Sequence, residues 1–110
     1  MALRELSSDE LRLIRALLGK AKLNSVGTDW LEGVKAQPLK DEGMGSLRFH
    51  YDGGDTARRK FGRCASELEF TDSDGTMVLV ALYLDEEGRP YELDMWKVDF
   101  LPVISIPTEL

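Results

Sequence analysis

Four carboxylates stand at spacings that could place them together. Glu67 and Glu69 are two apart, as are Glu92 and Asp94. On adjacent strands, residues two apart share a face, so all four can converge. Converging carboxylates support acid–base chemistry only when their surroundings split their pKa values, or Mg²⁺ binding when they form an oxygen cage. A solvated charged face is the commoner outcome for such a cluster, and no catalytic residue and no metal site is assigned. The other reactive side chains offer less. His50 is the only histidine and sits between Phe49 and Tyr51 as a polar outer-face residue. Cys64 is the only cysteine, and its alternation with Ser66, Leu68 and Phe70 reads as a small core hydrophobe. One Cys and one His cannot build a Cys/His zinc site, and one Cys excludes an intramolecular disulfide. Asp72-Ser73-Asp74-Gly75 begins like a calcium loop. It lacks the third acidic ligand before the glycine, and Ala81 stands where a bidentate Glu is needed, so a turn is expected. Arg58, Arg59, Lys60 and Arg63 form a basic tip without interleaved aromatics, which reads as a solvated hairpin end.

The elements that must carry these residues follow from periodicity. Ser7-Ser8-Asp9-Glu10 is a capping box, with Leu6 and Leu11 placed as a hydrophobic staple. Leu11, Ile14 and Leu18 keep helical spacing, and Leu13 and Leu17 widen the stripe. Gly19 suits a C-terminal cap, so one helix is expected over about residues 8–18. Residues 20–45 stay unassigned. There, Trp30, Leu31 and Val34 suit either a helical turn or a lead into a short strand. From Ser46 the period becomes two: Leu47, Phe49 and Tyr51 alternate with polar residues. Asp52-Gly53-Gly54-Asp55 reads as a turn. A second strand runs from Gly62 to Thr71, a third over the apolar run Met77–Leu84, and a fourth over Tyr91–Val98 after Pro90. The expected fold is α+β: an N-terminal helix packed on an antiparallel β-meander of about four strands, one domain over residues 1–110.

Register sets the surface. If Asp72–Gly75 forms a three-residue loop with a bulge and Asp85–Gly88 a four-residue connection, then Leu68, Phe70, Val78, Val80, Leu82, Tyr91, Leu93 and Met95 share the core face. Glu67, Glu69, Met77, Leu79, Ala81, Tyr83, Glu92, Asp94 and Trp96 share the other. A one-residue slip would bury Glu92 and Asp94 unpaired, at a cost of several kcal/mol. The outer face is therefore read as carboxylates around an apolar strip, a composition suited to partner recognition, with Glu67, Glu69, Tyr83, Glu92, Asp94 and Trp96 as the contact set. The alternative is that the tail after Phe100 folds over the strip.

Composition bounds the partner. The chain has 110 residues and a net charge of −6. Residues 1–63 carry a net +3, whereas residues 64–110 carry a net −9 with only Arg89 and Lys97 as cations. An acidic protein is a poor sequence-independent nucleic-acid binder, because phosphate neutralisation drives that affinity. No apolar signal core opens the chain, and the run Met77–Leu84 is too short to span a membrane. A cytoplasmic protein with no nucleic-acid, membrane or cofactor ligand is expected, monomeric or weakly homodimeric.

Gly45-Ser46-Leu47-Arg48-Phe49, the run Gly62 to Gly75, and Glu92-Leu93-Asp94-Met95-Trp96-Lys97-Val98-Asp99-Phe100, together with Leu11–Gly19, resemble a family of small bacterial proteins of uncharacterised function. Small acidic bacterial domains of this kind are often immunity proteins, encoded beside the contact-dependent or other polymorphic toxin they neutralise. The resemblance implies a toxin-neutralising role with a basic toxin domain, such as a nuclease, as partner, and supplies no catalytic residue. A small-ligand-binding or enzyme domain, with a pocket between helix and curved sheet lined by Trp30, Phe49 and Tyr91, is the alternative. A homodimer through the outer sheet face is a third.

Overall fold

The computed structural model describes residues 3–21, 33–40, 43–51 and 60–110. One helix, α1 (Ser8–Ala21), precedes five strands: β1 (Lys35–Pro38), β2 (Leu47–His50), β3 (Phe61–Thr71), β4 (Met77–Asp85) and β5 (Pro90–Lys97). All pair antiparallel in one sheet of order β1-β2-β5-β4-β3. The α+β reading holds at this level. The sheet has five strands, not four, and it is not a simple meander. Strands β3, β4 and β5 follow one another through tight turns, but β2 pairs with β5 (Leu47 opposite Leu93), so β2, β5, β4 and β3 make a Greek key. The Asp52–Asp55 turn, Trp30, Arg58 and Arg59 lie outside the described residues.

The helix begins as its first residues dictate. The Ser7 N–H donates to Glu10 Oε1 (2.8 Å) and the Glu10 N–H to Ser7 Oγ (3.1 Å), a complete capping box. Glu10 also takes a bidentate bond from Arg4, 2.7 Å to each oxygen. Arg4 in turn exchanges backbone bonds with Ala36, which closes the free side of β1. The helix runs three residues beyond the expected end. Gly19 lies within it, exposed, with open space where a Cβ would sit, and Lys20 occupies the last turn beside the negative dipole end. The buried stripe is Leu13, Ile14 and Leu17, with Leu18 at its margin.

These three side chains meet Ala36, Leu47, Phe49, Phe70, Val78, Val80, Leu82, Leu93 and Met95 in one cluster on a single face of the sheet. Tyr91 is not among them. A bulge between Tyr83 and Leu84 opposes Leu84 to Pro90, so these two residues are buried and Tyr91 sits half-buried under the Arg48 guanidinium, 5.1 Å from its ring centroid. His50 also departs from expectation. With β1 beside it β2 is not an edge, so His50 is buried and shares a 2.7 Å hydrogen bond with Gln37.

The β3–β4 and β4–β5 turns are three-residue loops closed by a left-handed glycine, the second where a four-residue connection was expected. Asp72 N–H donates to Thr76 O and Gly75 N–H to Asp72 O; Asp85 and Arg89, with Gly88, repeat the pattern. Gly75 and Gly88 have φ of 86° and 85°, which glycine adopts at least cost. The tail does not cross the outer face. It returns on the helix side, where Val103 and Ile106 pack on the core cluster and Arg12 donates to the carbonyls of Ile106 and Pro107 (3.0 Å each).

One charged side chain is buried inside this frame. Lys97 continues the inward series Leu93, Met95, Lys97, and its Nζ lies 2.9 Å from Asp72 and 2.6 Å from Asp74, with 1% of the side chain exposed. Asp72, fully buried, also accepts the N–H groups of Ser73 (2.7 Å), Ile104 (2.8 Å) and Ser105 (3.0 Å). The turn that began like a calcium loop thus spends its carboxylates on a lysine and on the backbone of the tail. Burial opposes ionisation of Asp72, but those N–H groups and Lys97 outweigh it and hold its pKa well below the carboxylate range. Asp74 lies on both Lys97 and Thr76 N–H and is lowered too, while the two carboxylates raise Lys97. No helix among the described residues is long and apolar enough to cross a membrane.

Candidate functional site

Strand pairing decides what stands beside what on the face away from α1. Glu67 opposes Ala81, which opposes Asp94; Glu69 opposes Leu79, which opposes Trp96; Tyr83 opposes Glu92. Glu67 and Asp94 therefore flank one small residue, and Glu69 and Trp96 flank Leu79. The same alternation that sends Leu68, Val80 and Leu93 under the helix sends these side chains outward. Five of the six expected contact residues, Glu67, Glu69, Tyr83, Asp94 and Trp96, line one shallow open depression of about 450 Å³. Lys20 from the end of α1 also lines it.

Glu92 shares the face but is engaged differently. Arg48 reaches it at 2.9 Å, with the Glu92 side chain 21% exposed, so its charge is already balanced. Asp94 is exposed and accepts from Ser46 Oγ at 3.3 Å. Glu67 and Glu69 are exposed and make no ion pair among the described residues. The carboxylates act together on Tyr83. Burial first, then the charges of Asp94, Glu67 and Glu92 and the nearby Cys64 thiol, push its phenol pKa above the usual value. Tyr83 therefore stays a neutral hydroxyl within an anionic rim.

Cys64 belongs to this face, not to the core. A bulge between Cys64 and Ser66 inverts the alternation, so Cys64 opposes Tyr83 while Ser66 opposes Leu82. The thiol is exposed and donates to Glu67 Oε1 (3.5 Å). Partial burial first, then this carboxylate, raise its pKa, the reverse of what an activated nucleophile needs. Sequence reading also missed Phe100, whose ring packs against Trp96 at 5.9 Å between centroids and 53° between planes. No periodicity signals it, because residues 98–100 turn and Phe100 N–H donates to Lys97 O (2.9 Å), which returns the ring to Trp96.

Chemically, the arrangement offers fixed negative charge, a neutral phenol and an exposed indole on a rigid sheet. Among the described residues no three His, Cys, Asp or Glu side chains are grouped as a metal site. No curated protein and no solved structure gives a significant match to the chain. Residues 3–107, which carry the helix, all five strands and this face, match a family profile throughout, and the chain belongs to the family described as a domain of unknown function, DUF6984.

Proposed function

We propose that this protein is a binding module that docks a basic protein through the outer face of β3, β4 and β5, in the role of a cytoplasmic immunity protein that blocks a bacterial toxin domain. The observation that carries the reading is the register: Glu67 and Asp94 across Ala81, and Glu69 and Trp96 across Leu79, share the open face of the sheet. A net −9 over residues 64–110 supplies a long-range field that speeds encounter with a basic surface. Trp96, 45% exposed, supplies an apolar anchor of the type that dominates interface energy. A nuclease toxin with a basic cleft fits this charge pattern, and covering that cleft would exclude its substrate.

The pocket alternative has less behind it. Phe49 is fully buried in the hydrophobic cluster and Tyr91 lies under Arg48, so neither is placed to line a cavity between helix and sheet. The decisive experiment takes the toxin-domain candidate encoded beside this gene and measures its binding by calorimetry. Reversing two charges, Glu67→Lys with Asp94→Lys, should leave the melting temperature unchanged and weaken binding on the order of tenfold or more at low salt. Unchanged affinity with the fold retained refutes the contact assignment.

A further inference from the structure

The outer face does not end with the depression. The Val98 N–H donates to Met77 O (3.1 Å), and the chain then turns over residues 98–100, which brings the Phe100 ring back against Trp96. Met77 and Val98 are exposed, and Phe100 is 59% exposed. Phe100 has a second distinction. Its φ is +63°, the one left-handed non-glycine among the described residues, a conformation that suits Gly or Asn and strains an aromatic residue.

The strain persists because the surroundings fix it. The Phe100 N–H donates to Lys97 O (2.9 Å), and the Leu101 N–H donates to Asp99 Oδ1 (3.0 Å). Lys97 itself is clamped by Asp72 and Asp74, and donates to Pro102 O (3.3 Å) across the same turn. A rigid, buried ion cluster therefore presents a ring that the fold does not bury. Local strain combined with an exposed aromatic points outward to what the ring meets.

We infer that Phe100, stacked on Trp96, is the principal apolar anchor of the docking surface, and that its occupant is a protein carrying an aliphatic socket bordered by Lys or Arg. This rests on the binding-module reading above and adds to it a residue and the chemistry of the partner. The border is set by Glu69 and Asp94, exposed carboxylates that line the same depression as Trp96. The same charges argue against a second copy of this chain, since two such faces would oppose carboxylate to carboxylate.

The test selects a random-peptide display library on the immobilised full chain. Selected peptides are then measured by fluorescence polarisation against the wild type, Phe100→Gly, Phe100→Asn and the Glu67→Lys/Asp94→Lys variant. The expected result is enrichment of peptides with Lys or Arg beside aliphatic residues. These should bind Phe100→Gly and Phe100→Asn about tenfold more weakly or worse, while both variants melt no lower than the wild type. Basic peptides that lose affinity on charge reversal but bind the Phe100 variants normally overturn the anchor and leave the binding-module reading standing. A marked fall in melting temperature of both Phe100 variants makes the ring structural and overturns the anchor likewise. Enrichment without basic residues, indifference to charge reversal, or no enrichment overturns both. A dimer in sedimentation that Phe100→Gly dissolves assigns the patch to a second copy and overturns the proposed occupant.

Discussion

Replacing Asp72 by Asn tests a buried carboxylate that ties the β3–β4 turn to the tail. The carboxylate is fully buried and serves four partners: Lys97 at 2.9 Å and the N–H groups of Ser73, Ile104 and Ser105. An Asn is isosteric and keeps one carbonyl oxygen, enough for part of the backbone bonds. It loses the charge opposite Lys97 and brings an NH₂ group against cationic or donor neighbours. Removing one partner of a buried pair costs about 3–5 kcal/mol. Lys97 retains Asp74 at 2.6 Å, which argues for the lower end, about 3 kcal/mol. At roughly 4 °C per kcal/mol for a domain of this size, the melting temperature should fall by about 12 °C. The pH dependence carries the sharper test. The folded pKa of Asp72 lies below its unfolded value, so its stabilisation is present above about pH 4 and is lost as the pH falls through the folded pKa. Urea midpoints of wild type and Asp72→Asn, measured from pH 7 downward, should therefore converge in acid. A variant as stable as wild type at pH 7, or a gap that persists undiminished at low pH, would refute the reasoning.

Other substitutions probe separate parts. Glu10→Ala removes the reciprocal cap and the Arg4 partner and should lower stability by about 1–2 kcal/mol in urea unfolding, with Glu10→Gln recovering part of it. Burial opposes ionisation of Glu10, but Arg4 and Ser7 outweigh it and lower its pKa, so the Ala deficit should also shrink as the pH falls below about 4. Iodoacetamide should alkylate Cys64 at neutral pH more slowly than an unstructured cysteine despite its exposure. Glu67→Gln should speed that reaction, and a rate indifferent to Glu67 would dissociate the two groups.

Local signals were legible where their causes were local. The capping box needed only Ser7 and Glu10, and the first loop only Asp72 followed by Gly75, whereas the Asp85–Gly88 turn, expected as a four-residue connection, closes one residue tighter. The faces then followed, because a one-residue slip would have buried Glu92 and Asp94 against Val80 and Leu82, so the outward side of the carboxylates is legible in the sequence. Non-local choices were not legible. Nothing in residues 46–51 says that β2 will choose β5 over β3, since a ten-residue connection permits either. β1 is four residues long and ends on Pro38, too short for alternation to stand out. The bulge at Cys64–Ser66 breaks the very periodicity that placed Cys64 inside. Lys97 sat at an inward position, and the acids that neutralise it lie more than twenty residues earlier in a turn read only for its shape. Phe100 was illegible for a similar reason: a turn after β5, closed by Phe100 N–H on Lys97 O, and not strand alternation, carries its ring back to Trp96.

The Greek-key pairing has a temporal corollary. Ser46, at the foot of β2, accepts the N–H of Met95, which lies 49 positions later. During synthesis, the first hairpin therefore emerges with one flank open and its apolar side chains unclaimed, while β3 and β4 are still being added. Only when β5 leaves the ribosome can it slot between two pieces that are already waiting, joining them into one sheet. Residues 35–97 must all be present before the sheet's centre closes, which leaves the half-made sheet most open to association just before β5 arrives.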